Sequence, residues 1–109
     1  MINIKTNVPS VENATFSSQQ DLFDYVDSVP AGTYFIYIAR QSATAIGIPG
    51  ATSAAATAFF GHLMIFKRSN ASIYIQHFPM QAHLPSYILI KDSVWQTEWK
   101  ERSVTSGGV

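Results

Sequence analysis

Thr33-Tyr34-Phe35-Ile36-Tyr37-Ile38 is the stretch that decides how this chain folds. Each of its residues is β-branched or aromatic, the side chains that fit a pleated, partly buried surface best. A strand with one face in water alternates apolar and polar residues, and this one does not. It therefore predicts a strand covered on both faces, either by a second layer of its own domain or by another subunit.

Before this strand, Pro30-Ala31-Gly32 stops a helix. The helix is expected to begin at Ser17, with Gln20 completing a capping box, and Leu22, Phe23, Tyr25, Val26 and Val29 fall on one of its faces. Asp21, Asp24 and Asp27 fall on the other, where a solvated acidic face is a plainer account than a metal or acid site. Further back, Met1 to Val8 reads as a short extended arm ended by Pro9. After the strand, Gln41 to Ala58 is rich in small residues, carries Ile46-Gly47-Ile48-Pro49-Gly50 and shows no period, so it reads as a long loop.

Phe60 to Lys67 and Ser72 to Phe78 predict a hairpin joined at Arg68-Ser69-Asn70-Ala71, with Asn70 supplying the positive φ of a tight turn. Pro79 and Pro85 bracket the next connection. Tyr87-Ile88-Leu89-Ile90-Lys91 is another strand, followed by a last segment with Trp95 and Trp99. The expected fold is α+β and mostly antiparallel, one N-terminal helix packed on a small antiparallel sheet. Residues 1–16 would be an arm or linker, 17–102 the folded domain and 103–109 a flexible Gly/Ser tail.

Composition narrows the function. The chain has 109 residues, room for one domain with a modest core, and 47% of them are hydrophobic. Seven basic and seven acidic side chains cancel, so nothing in the overall charge attracts nucleic acid or an anionic membrane. No apolar run approaches membrane-spanning length and the first residues lack a signal-peptide pattern, so the chain reads as soluble and unprocessed. Cysteine is absent, which removes disulfides and thiolate metal sites. A small, weakly charged domain with 13% aromatic residues has more apolar surface than a monomer usually hides, and this points to oligomerisation.

The order of signals resembles the phage tail-fibre and pyocin knob domains. Asp21-Leu22 opens the module, Pro30-Ala31-Gly32-Thr33-Tyr34 enters the first core strand, and Gly61-His62-Leu63-Met64-Ile65 begins the hairpin. Ile75-Gln76-His77-Phe78, Tyr87-Ile88-Leu89-Ile90-Lys91 and Trp95-Gln96-Thr97-Glu98-Trp99-Lys100 follow in turn. Three departures stand beside these matches: Gly47-Ile48-Pro49 where the family has Asn-x-Pro, Lys91 in place of Arg, and three residues rather than two between the tryptophans. Lysine does not reproduce the planar bidentate fork of arginine.

The resemblance implies a knob-like domain that assembles as a homotrimer at a tail-fibre or baseplate tip of a virion, made in the host cytoplasm. It further implies attachment to a host cell-surface polysaccharide or wall polymer, alongside other tail or baseplate proteins. The alternative is a trimerisation or assembly module without a ligand of its own. A monomeric sugar-degrading enzyme is a weaker third reading, because Glu12, Asp92, Glu98 and Glu101 are the only carboxylates outside the helix and lie mostly near the chain ends.

The candidate ligand-contacting residues are Trp95, Trp99, Gln76 and Lys91. An indole offers a flat apolar face and an N–H donor to a sugar, although large aromatics near the end of a small domain more often seal its core or its subunit contact. Gln76 stands polar within an apolar strand, where a cross-sheet hydrogen bond is the competing role. No nucleophile-base pair, phosphate loop or metal-ligand spacing is present; His62, His77 and His83 are scattered. The expectation is no catalytic residue, no metal and no cofactor.

Overall fold

The computed structural model describes residues 12–49, 60–80 and 84–102. The expectations for the arm Met1 to Val8, for the loop from residue 50 to Ala58, for His83 and for the tail Ser103 to Val109 lie outside those residues. In chain order the elements are β1 (Glu12–Ala14), α1 (Gln19–Ser28), β2 (Gly32–Ile38), α2 (Arg40–Ala45), β3 (Gly61–Ser69), β4 (Ser72–Pro79), β5 (Ser86–Asp92), β6 (Val94–Trp95) and β7 (Lys100–Arg102). The strands form a seven-stranded sheet in the order β1-β2-β3-β4-β5, with β6 and β7 both pairing to β5.

Two findings correct the expected single helix on an antiparallel sheet. The sheet is mixed, because β1 runs parallel to β2, Glu12 opposite Ile36 and Ala14 opposite Ile38. There is also a second helix, α2, where the sequence reads as the start of a long loop. It has no side-chain cap, and it forms because Ser42, Ala43, Ile46 and Ile48 are buried while the Ser42 hydroxyl accepts a hydrogen bond from the Phe16 amide at 3.0 Å. Tertiary burial thus supplies what propensity does not.

The remaining pairs are antiparallel, and their register sorts the side chains into two faces. Tyr34, Ile65, Ile75 and Leu89 lie abreast on one face, with Ile36, Leu63 and His77 in the adjoining row. Leu22, Phe23 and Val26 of α1 and Ala43 of α2 join them in one hydrophobic cluster, so both helices cover this face. Full burial of such a side chain contributes about 1.5–3 kcal/mol relative to exposure.

α1 starts one residue later than expected. Ser18 is the cap, accepting from the Asp21 amide at 3.1 Å, and the Asp21 carboxylate returns the contact by accepting from the Ser17 amide at 2.9 Å. These contacts from Ser17, with its hydroxyl also donating to the same carboxylate, hold the Asp21 carboxyl below its ordinary value. The other end is closed by a side chain from the sheet. Lys67, only 6% exposed, donates its Nζ to the carbonyls of Val26 at 2.7 Å, Asp27 at 3.1 Å and Val29 at 2.6 Å. A cation there meets the negative end of the helix dipole and satisfies carbonyls that have no partner inside the helix.

The β3–β4 hairpin forms where expected, with a register shift between Lys67 and Ser69. Among the described non-glycine residues the positive φ belongs not to Asn70 but to Ser93, at 66°, in the β5–β6 turn. The bulge gives the first turn its bend without a left-handed residue. At the far end of the hairpin a Cβ on Gly61 would stand 2.2 Å from the Phe78 carbonyl oxygen, so the close approach of β3 to β4 there requires glycine.

Candidate functional site

The four residues singled out from the sequence fall in three different places. Trp99 is 4% exposed and donates its indole N–H to the Ile46 carbonyl at 2.8 Å, pinning the last segment onto the end of α2. Trp95 stacks on Phe23 of α1, with ring centroids 4.3 Å apart and an interplanar angle of 11°. Its N–H donates to Asp27 Oδ2 at 3.1 Å, while Lys91 Nζ reaches Asp27 Oδ1 at 3.0 Å and lies 5.5 Å from the Trp95 ring centroid. Lys91, Trp95 and Asp27 therefore form one polar clasp that holds α1 against the sheet.

Asp27 was expected on a solvated helix face with Asp21 and Asp24, and the clasp corrects that. Burial pushes its carboxyl up, but the hydrogen bonds from Lys91 and Trp95, with the charges of Lys91 and Lys67, outweigh burial and hold it below its ordinary value. Asp27 follows Phe23 by one helical turn and so borders the apolar stripe, where the approach of β5 and β6 brings partners to it. Asp24 stays at the surface, accepting from Gln20 Nε2 at 2.9 Å.

Gln76 is alone among the four in lying on the opposite side of the sheet. Its Oε1 accepts from the Tyr74 hydroxyl at 3.1 Å. By register it stands abreast of Phe35, Met64 and Ile88, between a row of Tyr37, His62 and Phe78 and a row of Thr33, Phe66, Tyr74 and Ile90. Among the described residues no element packs across this outer face, since both helices belong to the other side. Four strands at about 4.8 Å spacing and seven residues at about 3.3 Å make it roughly 19 by 23 Å, or about 440 Å². Its side chains are mostly half-buried, with Thr33 and Phe66 exposed, and a largely apolar face of this extent that no described element covers is a candidate interaction surface.

The outer face has two ends of different chemistry. At one, Tyr37 meets His62 edge to face at 5.6 Å and Phe60 at 6.4 Å. At the other, four residues along the strands, Phe66 and Tyr74 lie 6.1 Å apart and Phe66 is 42% exposed. There the surface opens into a cleft of about 540 Å³ lined by Thr33, Phe66, Arg68, Ser72, Tyr74, Ile90 and Asp92 and bordered by Gly32, Lys67, Ile73 and Lys91. No charged side chain stands in the central rows of β2 to β5 between these ends.

Among the described residues no three His, Cys, Asp or Glu side chains lie together as a metal site, and no helix is long and apolar enough to cross a membrane. No family model, curated protein or solved structure matches the chain. The functional reading therefore stands on the ordered sequence signals and on the two faces of the sheet.

Proposed function

We propose that this chain is a non-enzymatic attachment module, the head domain of a bacteriophage tail fibre that assembles as a homotrimer and binds a host cell-surface glycan or wall polymer. The observation that carries the reading is the outer sheet face, apolar across β2 to β5 and uncovered by any described element. Its occupant is further copies of the same chain. With no charge in its central rows, the face can be buried against further copies around a three-fold axis without burying an unpaired ion. Assembly uses the Tyr37, His62, Phe78, Phe35, Met64 and Ile88 portion and leaves the hairpin-turn end free. Three linked copies then bind a repeating polymer with avidity although each site is weak.

Sedimentation equilibrium at micromolar concentration tests the assembly, with three times the chain mass expected and a monomer fatal to it. Pull-down on a panel of purified bacterial lipopolysaccharides, capsular polymers and wall teichoic acids tests attachment. The assembly-only reading is favoured by one observation: Trp95, Trp99 and Lys91 are spent on contacts within the chain. A clean trimer that binds no polymer of the panel would decide for it.

A further inference from the structure

We infer that the cleft at the hairpin-turn end of the outer face is a saccharide site, with Phe66 and Tyr74 as its platform and Arg68, Ser72, Thr33 and Asp92 as its hydrogen-bonding rim. The inference rests on the attachment reading above and moves its contact residues away from the tryptophans.

The register carries the placement. Thr33, Phe66, Tyr74 and Ile90 stand abreast on the outer face, and Ser72 lies opposite Asp92 two residues further on. Gly32, Lys67, Ile73 and Lys91, which also border the cleft, alternate to the core face, so they line it with backbone. A volume of about 540 Å³ is in the range of small-molecule sites and holds one or two sugar rings.

The chemistry of the lining selects the ligand class. Phe66 is 42% exposed, while Met64, Ile88 and Ile90 on the same face are half-buried, and it lines the cleft with an apolar ring. Tyr74 is held in place by its hydroxyl bond to Gln76, so its ring is fixed before any ligand arrives. Around these rings stand two hydroxyls, one guanidinium and one carboxylate, whose charges cancel. A phosphate or nucleotide would meet Asp92 as well as Arg68, whereas a neutral pyranose uses both, giving hydroxyl protons to the carboxylate and accepting from the guanidinium. Its C–H face rests on the aromatic rings.

The test titrates the isotope-labelled protein with methyl glucoside, methyl galactoside, methyl mannoside and methyl N-acetylglucosaminide, followed by amide NMR shifts. Millimolar binding of at least one, with shifts clustered at Thr33, Phe66, Ser72, Tyr74 and Asp92, is expected. Phe66→Ala and Asp92→Asn change exposed side chains and leave the fold intact, and each should weaken binding at least tenfold and reduce retention on the polymer panel to a similar degree. Shifts that map elsewhere, or no shift with any of the four glycosides, would overturn the site. So would variants that keep polymer retention within twofold of wild type, and that outcome leaves the attachment reading standing. Wild-type protein that retains no polymer overturns the attachment reading itself and the site with it.

Discussion

The core face and the outer face of the sheet are built from the same strands and are almost equally apolar, yet they meet different fates. Leu63 and Met64 are neighbours in β3; the first is fully buried beneath the helices and the second is half-buried on a face that no described element covers. The polar residues differ in the same sense. On the core face Lys67 is consumed by three helix carbonyls and Lys91 by Asp27, whereas on the outer face Arg68 and Asp92 stand at the rim of an open cleft. Hydrophobicity alone therefore does not tell which face closes the domain. What decides is where the amphipathic helix lands, and the lysines on that face pin it there.

The comparison can be broken most severely at Gly61. Gly61→Ala drives a methyl into the Phe78 carbonyl and is expected to abolish the cooperative thermal transition seen by circular dichroism. Next, in a urea titration dilute enough to keep the chain monomeric, Leu63→Ala should cost about 2–5 kcal/mol and Met64→Ala on the other face under about 1 kcal/mol. Equal losses would mean that the outer face is closed within the monomer. Lys67→Met keeps the apolar stem and removes the cap on α1; a loss of about 2 kcal/mol is expected, with helical signal reduced before the sheet melts.

Met64→Lys sharpens the contrast without touching the core. The stability of the dissociated chain should change by about 0.5 kcal/mol or less, while the mass in sedimentation falls from trimer to monomer. The smallest effect is electrostatic. The Asp27 carboxyl sits below its ordinary value in the folded chain, so its stabilising contribution is fully present above the unfolded value of about 4 and is lost as pH falls through the lower folded value. Wild type should exceed Asp27→Asn in stability near neutrality, and the two unfolding curves should converge as pH drops below about 4.

Much of the fold was legible because strands of this kind announce themselves. The runs Thr33 to Ile38, Phe60 to Lys67, Ser72 to Phe78 and Tyr87 to Lys91 each became a strand, whereas the cover expected on both faces of the first is found among the described residues on its core face alone. β1 was not legible, since three residues carry no period and their parallel pairing depends on a strand more than twenty residues away. α2 was hidden by composition: Arg40-Gln41-Ser42-Ala43-Thr44-Ala45 has no cap and no apolar stripe, and its helix exists only against Phe16 and the core. The tryptophans stand out in the sequence as candidate ligand contacts, yet both spend their N–H within the chain, and an indole looks the same in sequence whether its N–H meets a ligand or Ile46.

By itself the sequence determined the local elements: four β-rich runs, one capped amphipathic helix, a hairpin between them and an apolar excess too large for one face. These follow from side-chain branching, periodicity and turn chemistry, all of which act over a few residues. Only the tertiary structure decided that Asp27 is a clasp rather than a solvated acid, that Lys67 caps a helix, and that Phe66, Tyr74, Arg68 and Asp92 share one cleft. Each of those depends on the register between strands and on the side of the sheet the helix takes. Register and side are fixed by the packing of the whole core, and no single stretch of the chain encodes them.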